Sequence, residues 1–511
     1  MKFAARLLAL FLAASALPGC GDRGTSDQEA QGDPSVFAGY REEAGERQPE
    51  TDPLIDFARK PWRGDLDGML ERRMVRVLVV PSRTHYWLEL GKHSGIEYEL
   101  THAFEKWLNK KHKPSVRHLR PRFVYIPTTV DRLIPDLLKG HGDIAAAMLT
   151  VTPTRASKID FSAPYATGVR EVVVTGPQSL PFRTLDDLSG QQVYVRKSSS
   201  YWTHLEELNG TFARSNRPPV RLVAVPEVLS DDEILEMVSA GLIGTTVVDY
   251  YEARIWSKAF DNLVVHEAEP LNEDGELAWM IRKRSPQLSA VLGEFMAKHR
   301  HGTSFGNTVE RKYVGSAAFV KRATSGPEAQ TLNEIRGLFE KYGKHYAVDW
   351  VLLAAQAYQE SRLDQQARSR AGAVGIMQLM PATARQLAVC DISKVESNIH
   401  AGAKYSRQLR DRYFDDDAMS EFNKGLFTVA AYNAGPTRIQ KLRQQAERRG
   451  LDPNVWFGNV EVLAAEQIGA ETVGYVSNIF KYYVGFRLAF EQVDRGYRLK
   501  DRMKEQGVSA T

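Results

Sequence analysis

The chain has 511 residues, too many for one hydrophobic core, so at least two domains are expected. With 43% hydrophobic and 25% charged residues and a formal net charge of +4, its make-up is that of an ordinary globular protein. It carries no long basic run and no cluster with metal-ligand spacing, which argues against a nucleic-acid partner and implies neither a metal nor a cofactor.

At the N-terminus, Lys2 and Arg6 precede an apolar stretch, 7–17, too short to span a bilayer and suited to the core of a signal peptide. It ends in Leu17-Pro18-Gly19-Cys20, which resembles a bacterial lipobox. The resemblance implies cleavage before Cys20, lipidation of that cysteine and attachment to a membrane. Because Gly21 and not aspartate follows, it also implies the periplasmic face of the outer membrane. A plain secretory signal with an incidental cysteine is the alternative. Residues 1–19 then form the signal peptide and 20–65 a polar, flexible tether. Once Cys20 is lipidated no intramolecular disulfide is possible, and the other cysteine, Cys390, reads as a small buried residue.

From Met74 onward, β-branched runs alternate with helical patterns. Strands are expected over 75–80, 123–126 and 143–149, and helices over 95–109 and 132–139, the first with Tyr98, Leu100, Phe104 and Leu108 on one side. The alternation implies an α/β architecture. Gly95-Ile96-Glu97-Tyr98-Glu99-Leu100, Gly142-Asp143-Ile144, and Thr150-Val151-Thr152-Pro153-Thr154-Arg155 running into Asp160-Phe161-Ser162-Ala163-Pro164-Tyr165 carry a resemblance. With Leu188-Ser189-Gly190 and Val247-Val248-Asp249 further on, this stretch is similar to the periplasmic amino-acid-binding proteins over about 74–315. The resemblance implies a domain over 66–322 with two α/β lobes closing on a muropeptide or amino-acid-like ligand. Arg155 would clamp a carboxylate with help from Thr150 and Ser200, and Asp249 would accept from an ammonium group. The plainer alternative pairs Arg155 with Asp160 on a surface helix. Met148, Ala147 and Lys197-Ser198 depart from the family pattern.

Gly326-Pro327 marks a junction, after which helical patterns take over. A helix over 332–342 is expected to end at Gly343, and Asp349 to cap a helix over 350–362. That second helix is apolar nearly all round, so it should be central and buried. Glu360 near its end would be desolvated, which raises its pKa and keeps a proton available for a glycosidic oxygen. Glu360-Ser361 is followed by Gly372-Ala373-Val374-Gly375-Ile376-Met377-Gln378-Leu379-Met380-Pro381, by Ala431-Tyr432-Asn433-Ala434-Gly435 and by Glu471-Thr472-Val473-Gly474-Tyr475. These elements resemble the lytic transglycosylases of the lysozyme-like superfamily over about 326–492.

The resemblance implies one catalytic acid/base, Glu360, acting on peptidoglycan glycan strands and leaving 1,6-anhydro ends. Ser361, Gly375, Met377, Gln378, Tyr432, Asn433, Glu471 and Tyr475 would bind substrate or support the acid. Tyr432 could hydrogen-bond the carboxylate, though it and Met377 also read as ordinary core. Asp364, one turn beyond Glu360, is a weaker second carboxylate, and Gln365 and Val473 stand where the family has other residues. A lysozyme-type hydrolase and a glycan receptor that does not cut are the alternatives. The expected whole is multidomain: a two-lobed α/β periplasmic binding protein fold, then a mainly α lysozyme-like domain over 323–495 and a tail over 496–511.

Overall fold

The computed structural model describes residues 52–89, 92–114, 118–260, 262–314 and 327–505; the segment read as a signal peptide, and Cys20, lie outside them. The first lobe begins with α1 (Pro53–Arg59), α2 (Leu66–Glu71) and β1 (Met74–Val79), then a hairpin of β2 (Trp87–Glu89) and β3 (Lys92–Ser94). It continues through α3 (Ile96–Lys111), β4 (Arg122–Pro127), α4 (Val130–Lys139), β5 (Ile144–Ala145), α5 (Pro153–Ala156) and β6 (Asp160–Phe161). The long strand β7 (Ala166–Thr175) leads into the second lobe. That lobe holds β8 (Gln192–Arg196), α6 (Ser200–Arg214), β9 (Arg221–Val225), α7 (Asp231–Ser239), β10 (Thr245–Asp249), α8 (Tyr250–Trp256) and β11 (Val264–His266). The chain returns along β12 (Asn272–Leu277), antiparallel to β7, to β13 (Met280–Ile281), α9 (Pro286–His299) and α10 (Ser304–Tyr313).

The first-lobe sheet has the order β4-β1-β5-β13-β6, with β1 parallel to both β4 and β5. Its strands alternate in what they bury. Val75, Val77 and Val79 with Phe123 and Tyr125 pack towards α3 and α9, against Phe104, Leu108 and Phe295. Met74, Leu78, Val124 and Ile126 enter a different core, one shared with the C-terminal domain. The strand expected over 143–149 is corrected to two paired residues. Met148 takes a left-handed φ of 48°, and its amide is held by the buried Glu97 carboxylate at 2.6 Å, so the chain turns out of the sheet.

The C-terminal domain is helical: α11 (Pro327–Tyr346), α12 (Trp350–Ser361), α13 (Pro381–Gln386), α14 (Val395–Tyr413), α15 (Glu421–Ala434), α16 (Pro436–Arg448), α17 (Glu461–Gln467) and α18 (Ala470–Glu505). In α12 every residue from Val351 to Tyr358 is buried, as its all-round apolar pattern requires. Asp349 caps it by accepting from the amides of Val351 and Leu352 at 2.8 and 3.2 Å. Gly343 does not end the preceding helix, which runs on to Tyr346. It is there for packing: a Cβ at this position would lie 2.7 Å from the Trp350 Cβ. Cys390, expected to be buried, is exposed. The tail expected from 496 is helical as far as Glu505.

The stretch read as tether up to 65 is also corrected, because α1 is folded against the C-terminal domain. Phe57 stacks on Phe422 with centroids 4.8 Å apart and meets Phe480 edge-on at 5.7 Å. Asp52 caps α1 and accepts from the Tyr483 hydroxyl at 2.6 Å, and the same hydroxyl lies 2.8 Å from Asp349, the cap of α12. Phe57→Ala is therefore expected to cost about 2–3 kcal/mol, the low end for a large aromatic because Phe57 is only half-buried. Denaturant unfolding of the full chain would check it; a loss below about 0.5 kcal/mol would mean that α1 is not held there.

The two domains meet where α18 lies along β4. Glu461 is buried and pairs with Arg122 at 2.9 Å and Arg73 at 2.8 Å, both from the first lobe. Lys481 of α18 pairs with Glu105 of α3 at 3.2 Å. Burial alone would raise the pKa of Glu105, but the charge of Lys481 and the His102 hydrogen bond hold it at about 2.

Candidate functional site

Glu360 stands in the last turn of α12, half-buried, at the edge of the helical core. Its Oε1 accepts from the Tyr475 hydroxyl of α18 at 2.5 Å. Desolvation raises its pKa to about 7, and the Tyr475 hydrogen bond only partly opposes the rise. Such a group is part protonated and part ionised at neutral pH, so it can both give and take a proton. Asp364 is not a partner: it lies past the helix end, is exposed, and accepts from the Gln366 amide at 2.8 Å. The helix ends sharply because Arg362 and Leu363 both take left-handed φ values, 59° and 63°.

The segment that follows is fixed from below. The Ser361 hydroxyl donates to the Ile376 carbonyl at 2.9 Å and accepts from the Asp364 amide at 3.1 Å. Gly375 has φ 79°, and a Cβ there would meet Asn398 Nδ2 at 2.4 Å and Gln365 Nε2 at 2.5 Å, so only glycine fits. Gln365 donates to the carbonyls of Ile392 and Ser393 and accepts from the Ile376 amide, while Asn398 accepts from the Met377 amide at 2.8 Å. Sequence reasoning missed Asn398; a fully buried asparagine within an otherwise ordinary helical pattern leaves no signal in a single chain. Gln378 donates to the carbonyls of Gly375 and Ala367 at 2.8 and 3.2 Å.

Other residues sit differently from expectation. The Met377 side chain is wholly buried, packed on Gly402 of α14, so it is core and not lining. Tyr432 does not bond the carboxylate; its hydroxyl donates to the Met377 carbonyl at 2.9 Å. Tyr475 bonds Glu360 instead. Asn433 accepts from Thr472 at 2.8 Å, and Glu471, in the first turn of α18, is exposed. Val473 is buried.

In the N-terminal domain, Thr150, Arg155, Ser200 and Asp249 line one cavity between the lobes, about 30 Å³ in volume, enough for about one water. The Arg155 guanidinium donates to the carbonyls of Thr150 at 2.6 Å and Ser198 at 2.9 Å, and so ties the lobes together. It does not pair with Asp160. Ser200 donates to Glu171 at 2.6 Å. Asp249 is buried, with Oδ1 unpaired; burial and then the nearby carboxylates Glu171, Asp231 and Glu252 push its pKa well up. Arg83 with Asp232 and His85 with Glu252 add cross-lobe pairs at 2.5 and 2.6 Å. No group of side chains suited to a metal ion occurs among the described residues.

Residues 76–316 match the bacterial extracellular solute-binding proteins, family 3, and residues 337–454 the transglycosylase SLT domain. The membrane-bound lytic murein transglycosylase F of Desulfosudis oleivorans is 29% identical over 424 residues, covering 80% of this chain and 88% of that protein. Proteins of the same name from Photobacterium profundum and Pseudomonas putida strain W619 are 27% and 29% identical, over 84% and 82% of this chain and 82% and 86% of their own lengths. Among solved structures, an ancestral arginine-binding protein bound to arginine is 19% identical, covering 47% of this chain and 97% of its own, with a TM-score of 0.39.

A solute-binding domain followed by an SLT domain marks a lytic transglycosylase, a lyase acting on peptidoglycan. The N-terminal domain is of the solute-binding kind, and no described helix is long and apolar enough to cross a membrane. Over 80–84% of its length the chain is similar to the membrane-bound lytic murein transglycosylases F.

Proposed function

We propose that Glu360 is the single acid/base of this enzyme. As acid it protonates the oxygen that links muramic acid C1 to the next sugar, and the C1–O bond breaks. The substrate's N-acetyl group meets the cationic centre. The muramic acid C6 hydroxyl then attacks C1 and returns its proton to Glu360, giving a 1,6-anhydro end with no water consumed. The observation that carries this reading is a carboxyl whose pKa desolvation raises to about 7, with no second carboxylate beside it among the described residues. Ser361, Gly375 and Gln378 shape the adjoining segment, and Tyr432, Asn433, Glu471 and Tyr475 complete the substrate side. Mass spectrometry of digested peptidoglycan tests it: anhydro muropeptides support the reading, and reducing ends would make the enzyme a hydrolase.

The N-terminal domain is read as a regulatory ligand-binding unit. Asp249, with an unpaired oxygen among three other carboxylates, favours a ligand carrying an ammonium group, such as an amino acid or muropeptide. The cavity is too small for either, so the lobes must part for entry, releasing Arg155 from the Ser198 carbonyl to meet the ligand carboxylate. Asp249→Asn is expected to weaken muropeptide binding about tenfold or more by calorimetry; unchanged affinity would remove Asp249 from the site. Cys20 is read as the lipidated residue that anchors the protein in the outer membrane, with Cys20→Ala releasing it into the soluble periplasmic fraction.

A further inference from the structure

Between the first-lobe core around Phe104 and Trp279 and the second-lobe core around Val172 and Trp256 lies a gap that neither fills. Ile96 and Tyr251 pack against both cores and are nonetheless only half-buried, as are Val169, Tyr250, Phe305 and Val309. The cavity they ring is about 230 Å³ in volume, against about 30 Å³ for the one lined by Arg155. Met148 and Tyr251 line both and form the wall between them. The larger cavity sits at the hinge, since 166–170 of β7 and Leu277 of β12 belong to its lining.

The chemistry of the lining selects an occupant. Apolar walls gain by shedding water, and a cavity of about 150 Å³ already suffices for a benzene ring. The space here therefore admits one or two fused rings. Charged groups at the rim are engaged: Arg170 lies over the Tyr250 ring and donates to the Glu267 carbonyl, and His301 pairs with Glu310 at 3.0 Å. An ionised ligand would lose hydration there without a free counter-charge. His299 offers an open polar contact. Its Nδ1 lies 2.8 Å from the Phe295 carbonyl, which only accepts, so Nδ1 carries the hydrogen and Nε2 of the neutral ring is an acceptor. Among the described residues Nε2 has no partner.

We propose that this cavity is a second ligand site, distinct from the one lined by Arg155, for a neutral compound of one or two fused aromatic rings with a single N–H or O–H donor. The rings occupy the space between the cores, and the donor meets Nε2 of His299. Binding bears on the hinge, because both lobes line the site. Tyr251, which the ligand touches, also reaches His85 across the lobes through its hydroxyl at 3.0 Å. The proposal does not depend on the role of Glu360.

The test is calorimetric titration of the full chain with indole at pH 8, beside N-methylindole, which lacks the donor. Indole should bind one to one with a Kd below about 1 mM. Val309→Trp and Ala166→Leu fill the space, so each should weaken indole at least about tenfold while the melting temperature holds or rises. His299→Phe keeps the stacking on Phe295 and removes the acceptor, so indole should weaken about three- to tenfold and N-methylindole should not. Asp249→Asn should leave indole binding unchanged, since Asp249 lines the other cavity and not this one. No binding up to about 5 mM indole, or an affinity that survives both filling variants, overturns the proposal. So does loss of indole binding in Asp249→Asn, which would place the compound in the Arg155 cavity. Both filling variants melting well below the wild type would mean that the space is already packed, and overturns it as well. His299→Phe weakening both compounds equally, or neither, contradicts the donor assignment.

Discussion

Glu360→Gln is expected to lower peptidoglycan cleavage at least a thousandfold while leaving the fold intact. The amide keeps the shape and can still accept from Tyr475, but it has no proton of usable acidity to give. General acid/base catalysis contributes about 10²–10⁴-fold, and here one group performs both halves of the reaction, so the loss falls at the upper end. The same substitution should stabilise the protein in alkali. A carboxyl whose folded pKa is raised contributes stability that is complete below its unfolded value of 4.5 and lost as pH rises through about 7. Above that pH the wild type carries a half-buried anion which glutamine does not, a difference of at most about 2–3 kcal/mol. Thermal melts of both proteins at pH 5 and pH 8.5 would show it as a higher melting temperature for the variant at the upper pH only. Equal melts at both would mean that Glu360 is solvated and ordinary.

The second large effect is expected at the domain junction. Glu461→Ala leaves Arg73 and Arg122 in a buried contact with no anion between them, and breaking a buried pair on one side costs about 3–5 kcal/mol. Arg122 also lies over the Phe457 ring at 3.9 Å, so the loss should loosen the aromatic packing around α1 as well. Chemical denaturation would show the cost, and proteolysis should open the junction between the domains. Removing all three charges, with Glu461→Leu, Arg122→Met and Arg73→Met, should cost less than Glu461→Ala alone, because no orphaned charge remains. A triple variant much weaker than the single one would place the stabilisation in the ion pairs themselves.

This junction was not legible in the sequence, for a physical reason. β1 and β4 read as strands and are buried on both faces, but periodicity cannot tell which element covers the second face. Arg76 and Arg122 on that face even argue for solvent. Their partners, Asp143 for one and Glu461 for the other, are distant in the chain. The α1 helix was hidden likewise: its seven residues follow a polar tether, and only the aromatic cluster around Phe57 gives it a place. By contrast α12 could be read almost to the residue, since its cap, its all-round apolar run and its exit at Glu360 are local features. Gln378, held by side chain to backbone bonds, was visible as a motif member and Gln365 only as a departure from the pattern, and the partners of neither could be read. The exchange of roles between Tyr432 and Tyr475 turned on which hydroxyl the Met377 carbonyl captures, a matter of three dimensions.

The most direct measurement is digestion of peptidoglycan by the full chain in water enriched in heavy oxygen. A single acid/base that passes its proton to and from the substrate consumes no water, so the new muramic acid ends should be anhydro and carry no label, and Glu360→Gln should yield no ends at all. Reducing ends bearing the heavy isotope would contradict the account.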